Sequence, residues 1–338
     1  MRAGFAQVLQ EIRRPVRRLG GQAGVSRVRG RRARASRSPD RRIPRPAPAA
    51  RPAPLGRRRH TRSVIDLHTH TTASDGRCTP RELVDRAARA GVQVLSVTDH
   101  DTVAGCAAVA ESCSRAGVEF VAGIEITAVV DGSDVHVLGY FIDAAAGGLQ
   151  AFLAEQRRRR VDRVREMIAR LAANGITLDA EAVLQPGLED SSRSAGRPWI
   201  ARALVAGGHV ENVSDAFDRW LSPGRPAFVP RVGPSPEEVF SRIHGAGGVA
   251  SLAHPVLVEH DEWIPAFAAA GMDALEAYHT DHDARATRHY LDLAADLELA
   301  VSGGSDYHAD DAHGGGGPGS VSLPRPEFDR LKSLTRQK

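Results

Sequence analysis

Apolar and polar positions follow two rhythms along this chain, and the change between them divides it. From Ser63 onward, short apolar runs alternate with helical patterns. Val64-Ile65-Asp66-Leu67 reads as a short strand. Thr79-Pro80-Arg81-Glu82 puts Thr at an N-cap, Pro at the first helical position and Glu at the third, which predicts a helix running to Ala90 and closed by Gly91. Residues 92–97 read as a second strand, 104–116 as a helix stopped by Gly117, and 118–122 as a third strand. The unit of helix, glycine, apolar strand and polar residue recurs without any sequence repeat. Such alternation predicts a parallel β/α fold with its chemistry at the strand C-termini.

The rhythm then changes. Leu149, Phe152, Leu153, Val161, Val164, Ile168 and Leu171 keep mainly helical spacing up to Asn174, and Gly175 is a stop. Arg157 to Arg160 fall inside this helix and read as a solvated face, with a substrate clamp as the alternative. Shorter helical patterns cover 200–206 and 214–221, and Pro223-Gly224 with the 226–236 stretch marks a return. Residues 148–234 are therefore expected to form a mostly helical insertion between 63–147 and 235–338. Alternation resumes with a helix over 236–246, strands over 248–253 and 273–277, a helix over 284–297 and a strand over 298–302.

Charge changes the picture at the N-terminal end. The net charge of +4 is the sum of two unlike parts. Residues 1–62 hold 19 Arg and no Lys against Glu11 and Asp40, which leaves 63–338 with 26 basic and 39 acidic residues. This Arg-, Pro- and Ala-rich stretch is expected to be a disordered arm or to reflect a start assigned too far upstream. The other reading is a tail making nonspecific nucleic-acid contact, because clustered Arg attracts phosphate polymers without sequence preference. Arg13-Arg14 and Arg17-Arg18 are not followed by the long apolar stretch of an export signal. No apolar run approaches the roughly 18 residues of a membrane span. Cys78, Cys106 and Cys113 form no CxxC pair, which points to a reducing, cytoplasmic setting.

The chemistry is carried by imidazoles and carboxylates at or just after the apolar runs. They are His68 and His70 in His-Thr-His, Asp75, His100 in Thr-Asp-His, Glu125 in Gly-Ile-Glu, His136, His254 before Pro255, and Asp306 and His308 in Ser-Asp-Tyr-His. Strand alternation gives His68 and His70 one facing. Each member alone has an ordinary structural reading; Asp75 reads equally as a turn aspartate, and His136 as a half-buried strand histidine. His254 is expected to be extended, since it precedes proline. Nitrogen and oxygen donors without thiolate suit divalent Zn, Mn and Fe(II). Nine ligands exceed the needs of one ion, and Glu125 is the candidate to bridge two. Together they predict a multi-metal hydrolytic centre acting on phosphate esters.

In that order the set resembles the PHP family, named for polymerase and histidinol phosphatase, over nearly all of 63–312. Residues 65–76 (Ile-Asp-Leu-His-Thr-His-Thr-Thr-Ala-Ser-Asp-Gly), the Ser96–Thr102 run and the 148–234 insertion are similar to the branch acting on 3′,5′-nucleoside bisphosphates. Members of that branch also trim short RNA or DNA from the 5′ end. The resemblance implies a distorted (β/α)₇ TIM-like barrel and two to three divalent cations, Mn²⁺ foremost, with Fe²⁺ or Zn²⁺ as alternatives. It implies one ion on His68, His70, Glu125 and Asp306, a second on Glu125, His136 and His254, and a third on Asp75, His100 and His308. A bridging hydroxide held by Glu125, His68, His70 and Asp306 would attack the 3′-phosphate in line; the donor of the leaving oxygen's proton stays open.

Arg197 stands in Gly-Arg-Pro-Trp, where the branch usually reads Arg-Pro-His, and is the expected clamp for a second phosphate or a surface ion pair. Trp199 departs from that pattern and reads as core or as a base-stacking ring. Arg225 and His279, with His282, are further substrate-contact candidates. The leading expectation is a phosphatase on nucleoside 3′,5′-bisphosphates; the alternatives are a 5′-to-3′ exonuclease on short oligonucleotides and a non-catalytic nucleic-acid-binding protein.

Overall fold

Apolar runs become strands and capped stretches become helices over residues 63–309 and 316–335, which the computed structural model describes. The arm expected over 1–62 lies outside the described residues. Seven strands, β1 (Val64–Asp66), β2 (Val92–Val97), β3 (Glu119–Val130), β4 (Ser133–Tyr140), β5 (Val249–Leu252), β6 (Ala274–Tyr278) and β7 (Ala300–Gly303), form one sheet in chain order. Helices α1 (Pro80–Arg89) and α2 (Cys106–Ala116) make the first two crossovers. The capping box at α1 forms as its sequence predicts, with Glu82 N–H donating to Thr79 Oγ1 and Thr79 N–H to Glu82. At the sheet edges, Leu67 N–H donates to Gly303 O (3.2 Å) and His70 N–H to Tyr307 O (3.0 Å). The first and last strand ends are thereby brought together. An added Cβ on Gly304 would stand 2.2 Å from His68 N, so only glycine permits this approach.

The expectation of an all-parallel sheet is corrected at β4, which runs antiparallel to both β3 and β5. The third strand does not stop at 122. It continues to Val130, turns through Asp131 (φ 49°) and Gly132 (φ 84°), and returns. A two-residue turn with both φ positive matches the right-handed twist of its strands, and Asp-Gly is a sequence that accepts it. Because β4 is reversed, His136, opposite Thr127, comes from a strand interior rather than a strand C-terminus. Glu125 likewise sits within β3, level with His100 across an isolated parallel bridge.

Residues 147–221 are largely helical: α3 (Gly147–Ala173), α4 (Ala180–Glu189), α5 (Arg197–Ala206) and α6 (Val213–Ala216), the last continuing as a π-turn over Phe217–Leu221. Val164, Ile168, Leu171, Leu184, Trp199, Leu204 and Leu221 belong to a hydrophobic cluster of this stretch. Trp199 is core, and its indole N–H donates to Ser74 O (2.9 Å). Helix α4 carries no clear sequence signal, because Pro186-Gly187 interrupts its last turn; Asp179 caps its start. Crossovers α7 (Pro236–Gly245), α8 (Pro255–Val258), α9 (Ile264–Ala269) and α10 (Ala284–Asp296), and the terminal α11 (Arg325–Ser333), complete the order.

The Arg157–Arg160 run divides. Arg158 and Arg159 pair with Glu155 at the surface, as a solvated face would. Arg160 does not follow that reading. It is buried, pairs with Asp101 and donates to Ala195 O and Thr127 Oγ1, tying α3 to the segment just after His100.

Candidate metal centre

Strand ends and one hairpin bring all nine expected residues to a common point. His68 and His70 leave β1, Asp75 lies in the turn after them, His100 leaves β2, Glu125 lies within β3 and His136 within β4, His254 follows β5, and Asp306 and His308 follow β7. Glu125 is at the middle of them and almost wholly buried. Its Oε1 lies 2.8 Å from His136 Nδ1 and 3.2 Å from His254 Nε2. Its Oε2 lies 3.1 Å from His100 Nδ1, 3.3 Å from His70 Nε2 and 3.5 Å from His68 Nε2. Asp306 Oδ1 is 3.2 Å from the Nε2 atoms of both His68 and His70. Asp75 reaches His308 Nε2 at 3.3 Å and His100 Nε2 at 3.5 Å.

The donor set fits divalent cations. His68 Nε2, both ring nitrogens of His70, His100 Nδ1 and Asp306 Oδ1 are buried and lack a hydrogen bond of acceptable geometry, although carboxylates crowd them. Leaving buried polar atoms in that state costs about 1–3 kcal/mol each, unless a cation at their focus engages them. His/Asp/Glu groups with mutually close ligand atoms include His70-Asp75-His100-His308, His68-His70-Asp306 and His100-Glu125-His136. The nitrogen and oxygen donors suit borderline-to-hard ions.

Electrostatics points the same way. Burial opposes ionisation of Glu125, but His100, His136 and His68 around it hold its carboxyl well below the usual range. Burial likewise opposes ionisation of Asp75 and Asp306; His100 and His308 pull Asp75 well down, and His68 and His308 do the same to Asp306. Burial opposes protonation of His70, but the carboxylates of Asp306 and Glu125, 3.2 and 3.3 Å from its Nε2, lift it to about 10. Ionised carboxylates thus stand paired with the imidazoles around them.

Two of the nine positions carry backbone strain. His254 is not extended as its place before proline suggests; it adopts φ 25°, ψ 62°. Asp306 has φ 51°. Non-glycine residues held there cost about 1–3 kcal/mol each, a feature common where geometry serves function.

Three buried carboxylates behind the cluster were not singled out by sequence reasoning. Glu276 of β6 lies 3.0 Å from His68 Nδ1 and accepts the His254 N–H at 2.7 Å. Asp99 accepts from Thr71 N–H (2.7 Å), Thr71 Oγ1 (2.6 Å) and Ser74 Oγ (2.7 Å), fixing the loop that bears Asp75. Asp66 accepts from Ser305 N–H and Oγ and from Gly319 N–H, fixing the segment that bears Asp306. A lone acid inside an apolar strand, as in Ala-Leu-Glu-Ala-Tyr, was the available signal for Glu276.

Asp75, His100 and His136 open onto a cavity of about 840 Å³ whose wall carries Arg163, Arg197 and Arg231. Asp134 lies 3.3 Å from Arg231, 3.7 Å from Arg197 and 3.9 Å from Arg163. Burial, together with neighbouring arginines, pulls Arg231 down to about 10 and Arg163 to about 9. Arginine stays protonated near neutrality, and here Arg160, Arg163, Arg197 and Arg231 share Asp101 and Asp134 as counter-ions. Arg231 carried no motif in the sequence. Arg225 is exposed at the Pro223-Gly224 turn, away from this lining. His279 is buried with its Nε2 3.4 Å from Asp306 Oδ2, and His282 packs against it; neither lines the cavity.

The PHP domain family matches residues 66–210. A 3′,5′-nucleoside bisphosphate phosphatase of Chromobacterium violaceum is 36% identical over 253 residues, covering 72% of this chain and 87% of the relative. The 5′-3′ exoribonuclease Rnm of Escherichia coli is 34% identical over 257 residues, covering 72% of this chain and 85% of that protein. A solved Bifidobacterium adolescentis structure, described as a metal-dependent phosphoesterase, superposes with a TM-score of 0.73 at 33% identity, covering 80% of this chain and 96% of that one. With the imidazole and carboxylate cluster in place and these relatives matching most of their own length, the chain belongs to the PHP family of metal-dependent phosphoesterases.

Proposed function

We propose that this protein hydrolyses the 3′-phosphate of small nucleoside 3′,5′-bisphosphates. The observation that carries the reading is a single cavity with a cation-seeking floor and an anion-seeking wall. Residues 63–147 and 235–338 form a distorted (β/α)₇ barrel, and 148–234 a helical cap that contributes most of the wall. Two to three divalent cations, Mn²⁺ foremost, would be held by these residues: His68, His70, Glu125 and Asp306 for one, Glu125, His136 and His254 for a second, and Asp75, His100 and His308 for a third. When bound they supply Lewis acidity for water activation and for charge on the phosphoryl oxygens.

The chain's own groups set the geometry. Glu125 presents its two oxygens to opposite sides of the cluster and keeps the imidazoles in register. Arg197 and Arg231, with Arg163 beside them, hold the second phosphate through guanidinium forks. Phe217, on the same lining with the Arg197 guanidinium 5.6 Å from its ring centroid, offers a face for the base. A cavity of about 840 Å³ is of the size that encloses a small-molecule ligand. His279 orients Asp306 rather than touching substrate. Three free, buried cysteines accord with a reducing, cytoplasmic setting, and no helix among the described residues is long and apolar enough to cross a membrane.

A second reading, trimming of short oligonucleotides from the 5′ end, is favoured by the exoribonuclease relatives. Phosphate release from adenosine 3′,5′-bisphosphate compared with mononucleotide release from a 5′-phosphorylated tetranucleotide separates the two. Release from the bisphosphate at least tenfold faster in kcat/KM supports the phosphatase. Preference for the tetranucleotide replaces it with the nuclease, and silence of both substrates with added Mn²⁺ rejects both.

A further inference from the structure

On the reading of the nine residues as a cation site, we infer that Glu276 is a positioning residue that aims His68 and His254 and thereby sets cation affinity. Glu276 is fully buried on β6 between Leu275 and Ala277, where an ionised carboxylate is costly unless its oxygens are engaged. Both are. Its Oε1 and Oε2 stand 3.0 Å and 3.3 Å from His68 Nδ1, and its Oε2 accepts the backbone N–H of His254 at 2.7 Å. A neutral imidazole has one N–H. Donating it from Nδ1 to Glu276 leaves the Nε2 lone pair facing Asp306 and Glu125, at 3.2 Å and 3.5 Å. Carboxylates that hold a ligand histidine in this way fix its tautomer and orientation and raise its basicity.

The bond to His254 does a different task. That residue sits at φ 25° immediately before Pro255, a backbone state that its neighbours must impose. The carboxylate of Glu276 anchors the N–H of the strained residue, and from there the ring reaches Glu125 Oε1 at 3.2 Å. One carboxylate thus ties together histidines from β1 and β5 that approach the two oxygens of Glu125 from different sides.

His68, Glu276 and His279 lie close enough together to suggest another cation site, but their hydrogen bonds argue otherwise. His68 has committed Nδ1 to Glu276. His279 Nδ1 accepts the Asp281 N–H at 3.1 Å, so its Nε2 carries the proton and points at Asp306 Oδ2, 3.4 Å away. Glu276 and His279 thus stand behind His68 and Asp306 rather than completing a separate cation site.

Glu276→Gln is the discriminating substitution. It keeps size and one acceptor oxygen, yet its amide N–H₂ must face either His68 Nδ1–H or the His254 N–H. Metal-stripped wild-type and variant chains are compared by calorimetric titration with Mn²⁺ or Zn²⁺ alone, with folding checked by circular dichroism and melting temperature. The expected result is a folded variant with about 10- to 100-fold weaker cation binding, and partial recovery in Glu276→Asp. A folded variant that binds within about twofold of wild type overturns the inference, as does a loss confined to melting temperature. Wild-type chain that takes up neither cation overturns the proposed function as well. A readout on the wild type alone covers a variant that does not fold: ¹⁵N-histidine spectra of the Zn²⁺-loaded chain should show His68 protonated at Nδ1, and a proton on Nε2 refutes the assignment.

Discussion

The floor and the wall of the cavity are built in opposite ways. The floor gathers Asp75, Glu125 and Asp306 among six histidines, mostly buried, and all but Asp75 (in the turn that follows β1) stand on β-strands or just beyond them. The wall gathers Arg163 from α3, Arg197 from the first turn of α5 and Arg231 from the connection before α7, all leaning on Asp134. Floor histidines and acids are short side chains on rigid strands, so a small backbone shift misplaces them. Wall arginines are long and forked and reach a phosphate from looser supports. The donor atoms of the floor suit cations and the guanidinium groups of the wall suit an anion, so the proposed substrate with two phosphates would meet both.

Breaking the floor should have the largest effect. His70→Ala or Asp306→Ala should lower phosphate release on the order of 10³-fold or more while circular dichroism stays unchanged. Retained turnover at full metal content would remove that residue from the centre. Breaking the wall is expected to be selective. Arg231→Met or Arg197→Met should raise KM for a bisphosphate by about 10- to 100-fold, the worth of one charge-assisted bond. KM for a 3′-monophosphate should change little. Equal damage to both substrates would mean that the arginines support the fold instead.

Proton competition sharpens the contrast. In cation-free protein the folded state lifts His70 from 6.5 to about 10. A raised group stabilises fully below its unfolded value and loses that contribution as pH climbs through the folded value. The melting temperature of stripped protein should therefore fall between pH 6.5 and about 10. Cation-loaded protein should not follow, because cations and protons compete for the same nitrogens. Parallel curves for the two forms would contradict this. The smallest effect belongs to Arg225→Ala, which should leave kcat/KM within about twofold, as exposed substitutions away from a site usually do.

The nine floor residues were legible because strand periodicity and clustered spacing advertise them: His-Thr-His puts two rings on one face, and Asp-x-His repeats the pattern after β7. Glu276, Asp99 and Asp66 were not, because a buried carboxylate announces its role only through its partners. Glu276 finds His68 at a separation of 208 residues. Arg160 and Arg231 were missed for the same reason: a charged residue in a helix or loop reads as solvated until the fold buries it against Asp101 or Asp134. The reversal of β4 had its signal in Asp131-Gly132, which the reading of a parallel β/α fold left unused.

By itself the sequence determined the α/β rhythm, the helical stretch and the ligand types, since these rest on local periodicity, capping and donor chemistry. Tertiary structure alone decided which carboxylates stand behind the histidines, which arginines face the cavity and how His254 is bent. Those outcomes depend on contacts between segments far apart in the chain, where burial and charge balance replace local preference.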